Sequence, residues 1–340
     1  MALATAARWM RDKGCPVSSV ISEHAIPQSQ VVDLCTVTPA ELEGLWHHEA
    51  QWWRQHLFWD ISHPLEALRH VIGRRGVRGK AVRVGTQTVG YAYYVISGSL
   101  GVLSGLVVAP AWDIPEVGES LLQATVDAIR QRGVRRIESP CVSMASPWLV
   151  PVCERAGLQA AWRAFLRVEL ARPHTAVQSP ALVQLEPWRE MHVHEAAAIM
   201  QAAYQTTVDV ELNMLYRTVE GCGSVLDNLL QQGGCGPLVA EASVFARYRG
   251  QGIGFVVVTE IAPGHGHLAQ VAVLPAYQRQ GVGRMLVNHC LTQLAARHFD
   301  TLSLIVSRAN QHAFRLYQTM GLQEILAFPV FVWEQVRSGY

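Results

Sequence analysis

Apolar positions along this chain follow two rhythms: short runs in which every residue or every second residue is apolar, and longer stretches in which apolar residues recur three and four positions apart. The first rhythm predicts strands and the second helices, interleaved along the whole chain. Residues 31–34 open the first ordered segment, and Thr38-Pro39 starts a helix. Strands are predicted over 87–96 and 103–109. Pro110 ends the second of these, and a helix over 116–130 carries Leu121, Leu122, Thr125, Val126 and Ile129 on one face. A strand begins at Arg135, and Gly157 closes the helix after it. In the second half, strands are predicted over 181–186, 254–259, 267–274 and 301–306, with helices over 192–205, 225–231 and 282–298. Gly221-Cys222-Gly223 and Gly233-Gly234-Cys235-Gly236 read as flexible bounds of the helix over 225–231.

This order of elements occurs twice. Gly90 corresponds to Gly254, Pro110 to Pro275 and Gly157 to Gly321, an offset constant to within one residue, which predicts an internal repeat. Two domains follow, 31–171 and 181–337. They are joined by 172–180, whose prolines favour an extended linker, and preceded by an extension over 1–30 with a short helix over residues 2–13.

The stretch Gln278-Arg279-Gln280-Gly281-Val282-Gly283-Arg284 lies between a predicted strand and a predicted helix. Unpaired N–H groups at a helix start, aided by the helix dipole, form an anion cradle. Gly281 and Gly283 lack a β-carbon that would block a ligand. The spacing is neither the dinucleotide fingerprint nor a P-loop, and a tight packing turn is the plainer reading of two glycines. After the next strand comes Asn310-x-x-Ala313-x-x-Leu316-Tyr317, then Gly321-Leu322.

At these residues the chain resembles the GNAT superfamily, the Gcn5-related N-acetyltransferases. Gln278-x-x-Gly281-x-Gly283 matches the family's pyrophosphate-binding motif, and the Asn310 to Leu322 stretch matches its next motif, in the right order. The resemblance covers residues 181–333. It implies an α+β fold of two tandem GNAT-like domains, each a mixed, mostly antiparallel sheet flanked by helices. Acetyl-CoA is implied as co-substrate, its pantetheine arm on the main chain of Val271, Ala272 and Val273 and on Asn310. Its pyrophosphate is implied on the amides of Arg279, Gly281, Gly283 and Arg284, within a cofactor-binding stretch that also takes in Gln278, Gln280 and Val282. Tyr317 matches the tyrosine that protonates the departing thiolate. Many members place a glutamate on the fourth strand; counting back from Gln278 reaches His267, which offers imidazole as the base, with Glu260 and His265 as rivals. Asn310 is equally placed to cap the helix that follows it.

The first copy departs from this pattern. The cradle corresponds to Asp113-Ile114-Pro115-Glu116-Val117-Gly118-Glu119. Pro115 removes a donor, and the carboxylates repel a pyrophosphate. A degenerate copy that braces its partner is expected. Its aromatic cluster, Trp46, Trp52, Trp53, Phe58 and Trp59, reads as a packed core or as a ligand platform.

Composition narrows the partners. The chain has 340 residues, 28 basic and 27 acidic, for a net charge of +1. That near-neutral balance predicts no nucleic-acid footprint. No apolar run is long enough for a membrane span, and the N-terminal residues lack a secretory pattern. Seven cysteines with no Cys-x-x-Cys pair predict reduced thiols, a cytoplasmic setting and no metal site. Asp209, Glu211, Tyr216 and Glu220 fall where the family places acceptor-binding elements, or form a solvated face. The expected function is transfer of an acetyl group to a small-molecule amine or a protein amino group by direct attack in a ternary complex. A non-catalytic acyl-CoA sensor and a structural protein are the alternatives.

Overall fold

The computed structural model describes residues 29–140, 146–170, 182–231 and 235–335. The helix expected over 2–13 and the linker over 172–180 lie outside the described residues. The first half contributes β1 (Ser29–Asp33), α1 (Pro39–Leu57), α2 (Ser62–Gly73), β2 (Arg78–Val84), β3 (Gln87–Ser97), β4 (Leu100–Val108), α3 (Pro115–Arg130), β5 (Arg136–Ser139), α4 (Leu149–Arg155) and β6 (Gln159–Glu169). The second contributes β7 (Val183–Pro187), α5 (Val193–Tyr204), α6 (Asp209–Leu212), α7 (Val219–Gln231), β8 (Val244–Tyr248), β9 (Gln251–Ala262), β10 (His265–Val273), α8 (Val282–Ala296), β11 (Thr301–Ser307), α9 (Gln311–Thr319) and β12 (Gln323–Glu334). Element for element the two halves follow one plan, apart from α6, the second half's additional short helix.

Among the described residues the strands form one twelve-stranded sheet in the order β1-β2-β3-β4-β5-β12-β6-β11-β10-β9-β8-β7. The halves exchange their last strands. β12, from the second half, pairs with β5, and β6, from the first, pairs with β11. The two exchanged strands pair with each other along the seam. Neighbouring pairs are antiparallel except β4 with β5 and β10 with β11.

The cores follow the exchange. Ala164, Leu166 and Leu170 of the first half pack among Val256, Leu286 and Leu304 of the second, while Phe331 packs among Leu121, Val126 and Ile137 of the first. A third apolar cluster, including Leu57, Phe165, Leu212, Phe328 and Val330, fills the seam. Neither half therefore buries its own apolar surface by itself, and burial drives the association.

Loops are exchanged as well. α1 starts at Pro39, with Glu41 accepting from the Thr38 N–H at 2.9 Å, and ends at Phe58 with φ 55°. That left-handed stop turns Phe58 and Trp59 onto the second half. Asp60 N–H donates to Ile261 O at 2.8 Å, and the rings of Phe58 and Trp59 pack at a tilt against His265 and His267, each with centroids 4.8 Å apart. Reciprocally, the α6 segment of the second half rests on β5. Buried Arg136 pairs with Glu138 at 2.5 Å, with Glu334 at 2.7 Å, and with the Glu211 carbonyl. Glu138 also accepts from the Met214 N–H at 2.8 Å.

Gly221-Cys222-Gly223 is not the flexible bound expected from its glycines. It lies within α7, with Gly221 and Cys222 buried. A β-carbon on Gly221 would sit 2.2 Å from the Leu215 carbonyl oxygen, so glycine here serves close packing.

Candidate active site

β10 and β11 pair in parallel only from His265–Thr301 to Leu268–Leu304. An irregularity between Leu268 and Gln270 marks the point where they diverge. Beyond it, β11 stays paired with β6 and β10 with β9. The facing backbone edges of β10 and β11 are left without strand partners. A cavity of about 910 Å³ fills this split, and Val271, Ala272 and Val273 line it. An unpaired strand edge offers N–H and C=O groups to an extended ligand.

At one end lies the cradle. Arg279 (φ 58°) and Gly281 (φ 87°) both adopt the left-handed conformation, with Gly281 as the N-cap of α8. Such residues before a helix start turn successive N–H groups into an anion-binding concavity. Gln278 fixes the turn by donating from Nε2 to the Val273 carbonyl at 3.0 Å. A β-carbon on Gly283 would meet only Leu316, at 3.6 Å, so the space over this glycine is open. Arg279, Arg284 and Arg315 line the same end, Arg284 donating to Thr319 Oγ1 at 2.8 Å. Two cradle residues do not face the cavity: Val282 packs in the core, and Gln280 donates back to the Ala276 carbonyl at 2.7 Å.

Midway along the cavity are Asn310 and Tyr317. Asn310 caps α9, its Oδ1 accepting from the Ala313 N–H at 3.2 Å, while Nδ2 turns to Asp209 at 3.5 Å. Tyr317 is buried. Burial first, and the Asp209 carboxylate second, push its phenol pKa up, so the hydroxyl keeps its proton at neutral pH.

At the far end the wall is shared between the halves. Asp209 accepts from Ser307 Oγ at 2.5 Å. Tyr204 stacks on Tyr216 with centroids 4.4 Å apart and donates to Gln270 Oε1 at 3.2 Å. Trp59 and Arg163 reach the cavity from the first half, one through the turn after α1 and the other through the exchanged β6.

His267 lines this end, in a setting that disfavours the base role expected of it. Its ring lies between Trp59 and Phe165, with Nδ1 3.0 Å from Ser303 Oγ. Burial lowers its pKa to about 3. An imidazole that weak takes little of an ammonium's proton. The rivals are not at the cavity. Glu260 accepts from the Gly264 N–H at 2.9 Å, and His265 lies 3.0 Å from Thr301 Oγ1.

The corresponding region of the first half is filled by its own side chains. Trp148 Nε1 and Ser146 Oγ both donate to Asp113 Oδ1 at 2.7 Å. The Trp148 ring then covers Gly118, where a β-carbon would lie 2.4 Å from it. α3 starts with Pro115 and Glu116, so its first turn lacks a donor and carries a negative charge.

Gln278, Arg279, Gly281, Gly283, Arg284, Asn310 and Tyr317, singled out in the sequence through contiguous motifs, all line this one cavity. Sequence reasoning missed Arg163 and Tyr204, whose place in the cavity depends on non-local pairing. It left Trp59 as one of a cluster. Asp209 and Tyr216 line the cavity, whereas Glu220 is exposed and Glu211 pairs with Arg217 at 3.2 Å. Among the described residues, no group of three or more His, Cys, Asp or Glu side chains is placed to hold a metal ion, and no helix is long and apolar enough to cross a membrane.

Comparison with known proteins agrees with this geometry. The acetyltransferase (GNAT) family matches over residues 224–322. The [ribosomal protein bS18]-alanine N-acetyltransferase of Escherichia coli (strain K12) is 39% identical over 67 residues, which are 20% of this chain and 45% of that protein. The chain thus spans less than half the length of the curated relatives it matches. A GCN5-related N-acetyltransferase from Sphaerobacter thermophilus superposes with a TM-score of 0.66 at 15% identity, over 90% of this chain and 95% of that one. A tandem GNAT protein from the clavulanic acid biosynthesis pathway superposes at 0.56 and 13% identity, over 92% of this chain and 100% of that one. These likenesses establish the fold. The stretch 224–322 is similar to the GNAT acetyltransferase family, and it lies within a fold shared with a tandem GNAT protein.

Proposed function

We propose that the protein is an acetyl-CoA-dependent N-acetyltransferase with its active site in the second half, and that the first half is a degenerate copy that completes the site. The observation that carries this reading is the continuity of one cavity from an open anion cradle, past an unpaired strand edge and Tyr317, to a polar and aromatic pocket. The residues present fit acetyl-CoA. Arg279, Gly281, Gly283 and Arg284 suit its pyrophosphate, and the edge of β10 with Asn310 suits its pantetheine arm. When bound, it supplies an acetyl group activated as a thioester.

The chain's own part is positioning and proton management. A backbone N–H on the free edge of β10 is a donor for a polarised carbonyl. Tyr317 holds a proton at Oη for the departing sulfur. Asp209 attracts the acceptor ammonium by its charge and relays its proton to water in the cavity, whereas His267 forms the wall behind Trp59. Cys235 also lines the cavity, but burial pushes its thiol up to about 11, so it offers no thiolate and direct attack by the amine is favoured. The Escherichia coli relative is named as an alanine N-acetyltransferase, which agrees with an amine acceptor.

Thiol release from acetyl-CoA across a panel of amines tests this function. Tyr317→Phe is expected to lower kcat about 100-fold with acetyl-CoA affinity unchanged, and Asp209→Asn to lower kcat/KM at least about tenfold. Binding of acetyl-CoA with no amine-dependent release would favour an acyl-CoA sensor instead.

A further inference from the structure

The far end of the cavity carries a cation that the transfer reaction does not need. Arg163 lies on β6, opposite Ser307 in the β6–β11 register, and lines the cavity. Its Nε is buried and has no hydrogen-bond partner. Its nearest charged neighbour among the described residues is Asp209, with Nη2 4.0 Å from Oδ1. That distance gives electrostatic attraction but no hydrogen bond. Other arginines at the seam are paired closely, as Arg136 is with Glu138 and Glu334. The Nε is sealed from the cavity, so the guanidinium meets a ligand through its Nη nitrogens, whose N–H groups match the two oxygens of one carboxylate.

Asp209 stands beside it on the same wall and already engages Ser307 and Asn310 through donors, leaving the carboxylate negative side toward the cavity without a cationic hydrogen-bond partner among the described residues. The wall therefore presents a negative and a positive group side by side. A ligand that complements it carries an ammonium and a carboxylate equally close together. An α-amino acid bears both on one carbon. The rings of Trp59, Tyr204 and Tyr216 line the same end and provide an apolar surface for its side chain.

We propose that the acceptor is a free α-amino acid, its ammonium facing Asp209, its carboxylate held by Arg163 and its side chain against Trp59. This rests on the acetyltransferase reading and names that reaction's substrate class. In the transfer, the ammonium gives one proton through Asp209 to water, the neutral amine nitrogen forms the bond to the acetyl carbon, the carbon–sulfur bond breaks and the sulfur takes the Tyr317 proton, and the nitrogen's second proton returns to Tyr317 through water. The products are the N-acetyl amino acid and free coenzyme A. A protein's α-amino group has an amide where the free amino acid has its carboxylate, so the site discriminates against protein N-termini. Arg163 comes from the first half, which gives that half a direct part in substrate choice.

The test uses the full chain and the common L-amino acids, each beside its amide and its decarboxylated amine, together with a peptide beginning with alanine. Thiol release is read for wild type, Arg163→Gln and Arg163→Lys. The expected result is a wild-type kcat/KM at least tenfold higher for one or more amino acids than for the matching amide, amine or peptide. Arg163→Gln should abolish that preference by lowering the value for the acid alone, and Arg163→Lys should restore part of it. An unchanged acetyl-CoA affinity in both variants shows that they fold. Preference for the amide, amine or peptide in wild type, or an equal loss for acid and amide in Arg163→Gln, would overturn the proposal and leave the acetyltransferase reading standing. If no compound promotes release, the catalytic reading fails, and equilibrium binding of the N-acetyl amino acids against their amides decides this inference. Tighter binding of the acids that disappears in Arg163→Gln supports it, and no such difference overturns it.

Discussion

At the scale of single residues, burial leaves two side chains of the cavity wall neutral in opposite senses. Tyr317 is kept protonated by burial and by Asp209, which suits a donor, whereas burial alone keeps His267 neutral and weakly basic. This has a consequence for stability. A histidine in the unfolded chain titrates near ~6.5, but His267 in the fold does so at about 3. Between those values the unfolded chain binds a proton that the folded chain does not. Stability therefore falls as pH is lowered through this window, by up to about 1.4 kcal/mol per pH unit from this group, and above it the group has no effect. Denaturant unfolding from pH 7.5 to 4.5 should show a shallower decline in His267→Gln than in wild type. Parallel declines would contradict the assignment. Tyr317 was legible in the sequence because its motif is contiguous. The setting of His267 was not, since Trp59 and Phe165 arrive from distant elements.

At the scale of elements, the starts of α8 and α3 differ in what they offer an anion. The start of α8 combines left-handed Arg279 and Gly281 with an open Gly283, while α3 begins with Pro115 and Glu116 and has the Trp148 ring lying on Gly118. The sequence displayed the charge and proline differences directly. It did not reveal the indole filling the space, because Trp148 lies thirty residues beyond Gly118 and reaches it only through the fold. Trp148 is 7% exposed, and Trp148→Ala is expected to cost about 3–5 kcal/mol of stability. It should not create a second acetyl-CoA site, since Pro115 and Glu116 remain. Denaturant unfolding of that variant checks the first point and calorimetric titration of acetyl-CoA the second, where a second binding event would contradict the account of the first half.

At the scale of the whole molecule, the repeat could be read from the spacing of Gly90, Pro110 and Gly157 against their partners, but the exchange of β6 and β12 could not. Both strands have the apolar character of core strands, and nothing local distinguishes packing on one half from packing on the other. The exchange makes the halves one cooperative unit, as Ala164 and Leu166 complete one core and Phe331 the other. Thermal unfolding of the full chain is expected to be a single transition. A fragment of residues 182–335 should fail to unfold cooperatively or to bind acetyl-CoA with the affinity of the full chain, and full-strength binding by the fragment would contradict this. The central claim, that the second half holds acetyl-CoA and the first does not, is tested most directly by calorimetric titration of acetyl-CoA into wild type and Gly283→Asp. The β-carbon at that position meets only Leu316, so the variant should fold, while its carboxylate opposes the pyrophosphate. The account predicts one molecule bound per chain in wild type and no binding in the variant. Two molecules per chain, or binding that survives in Gly283→Asp, would contradict it.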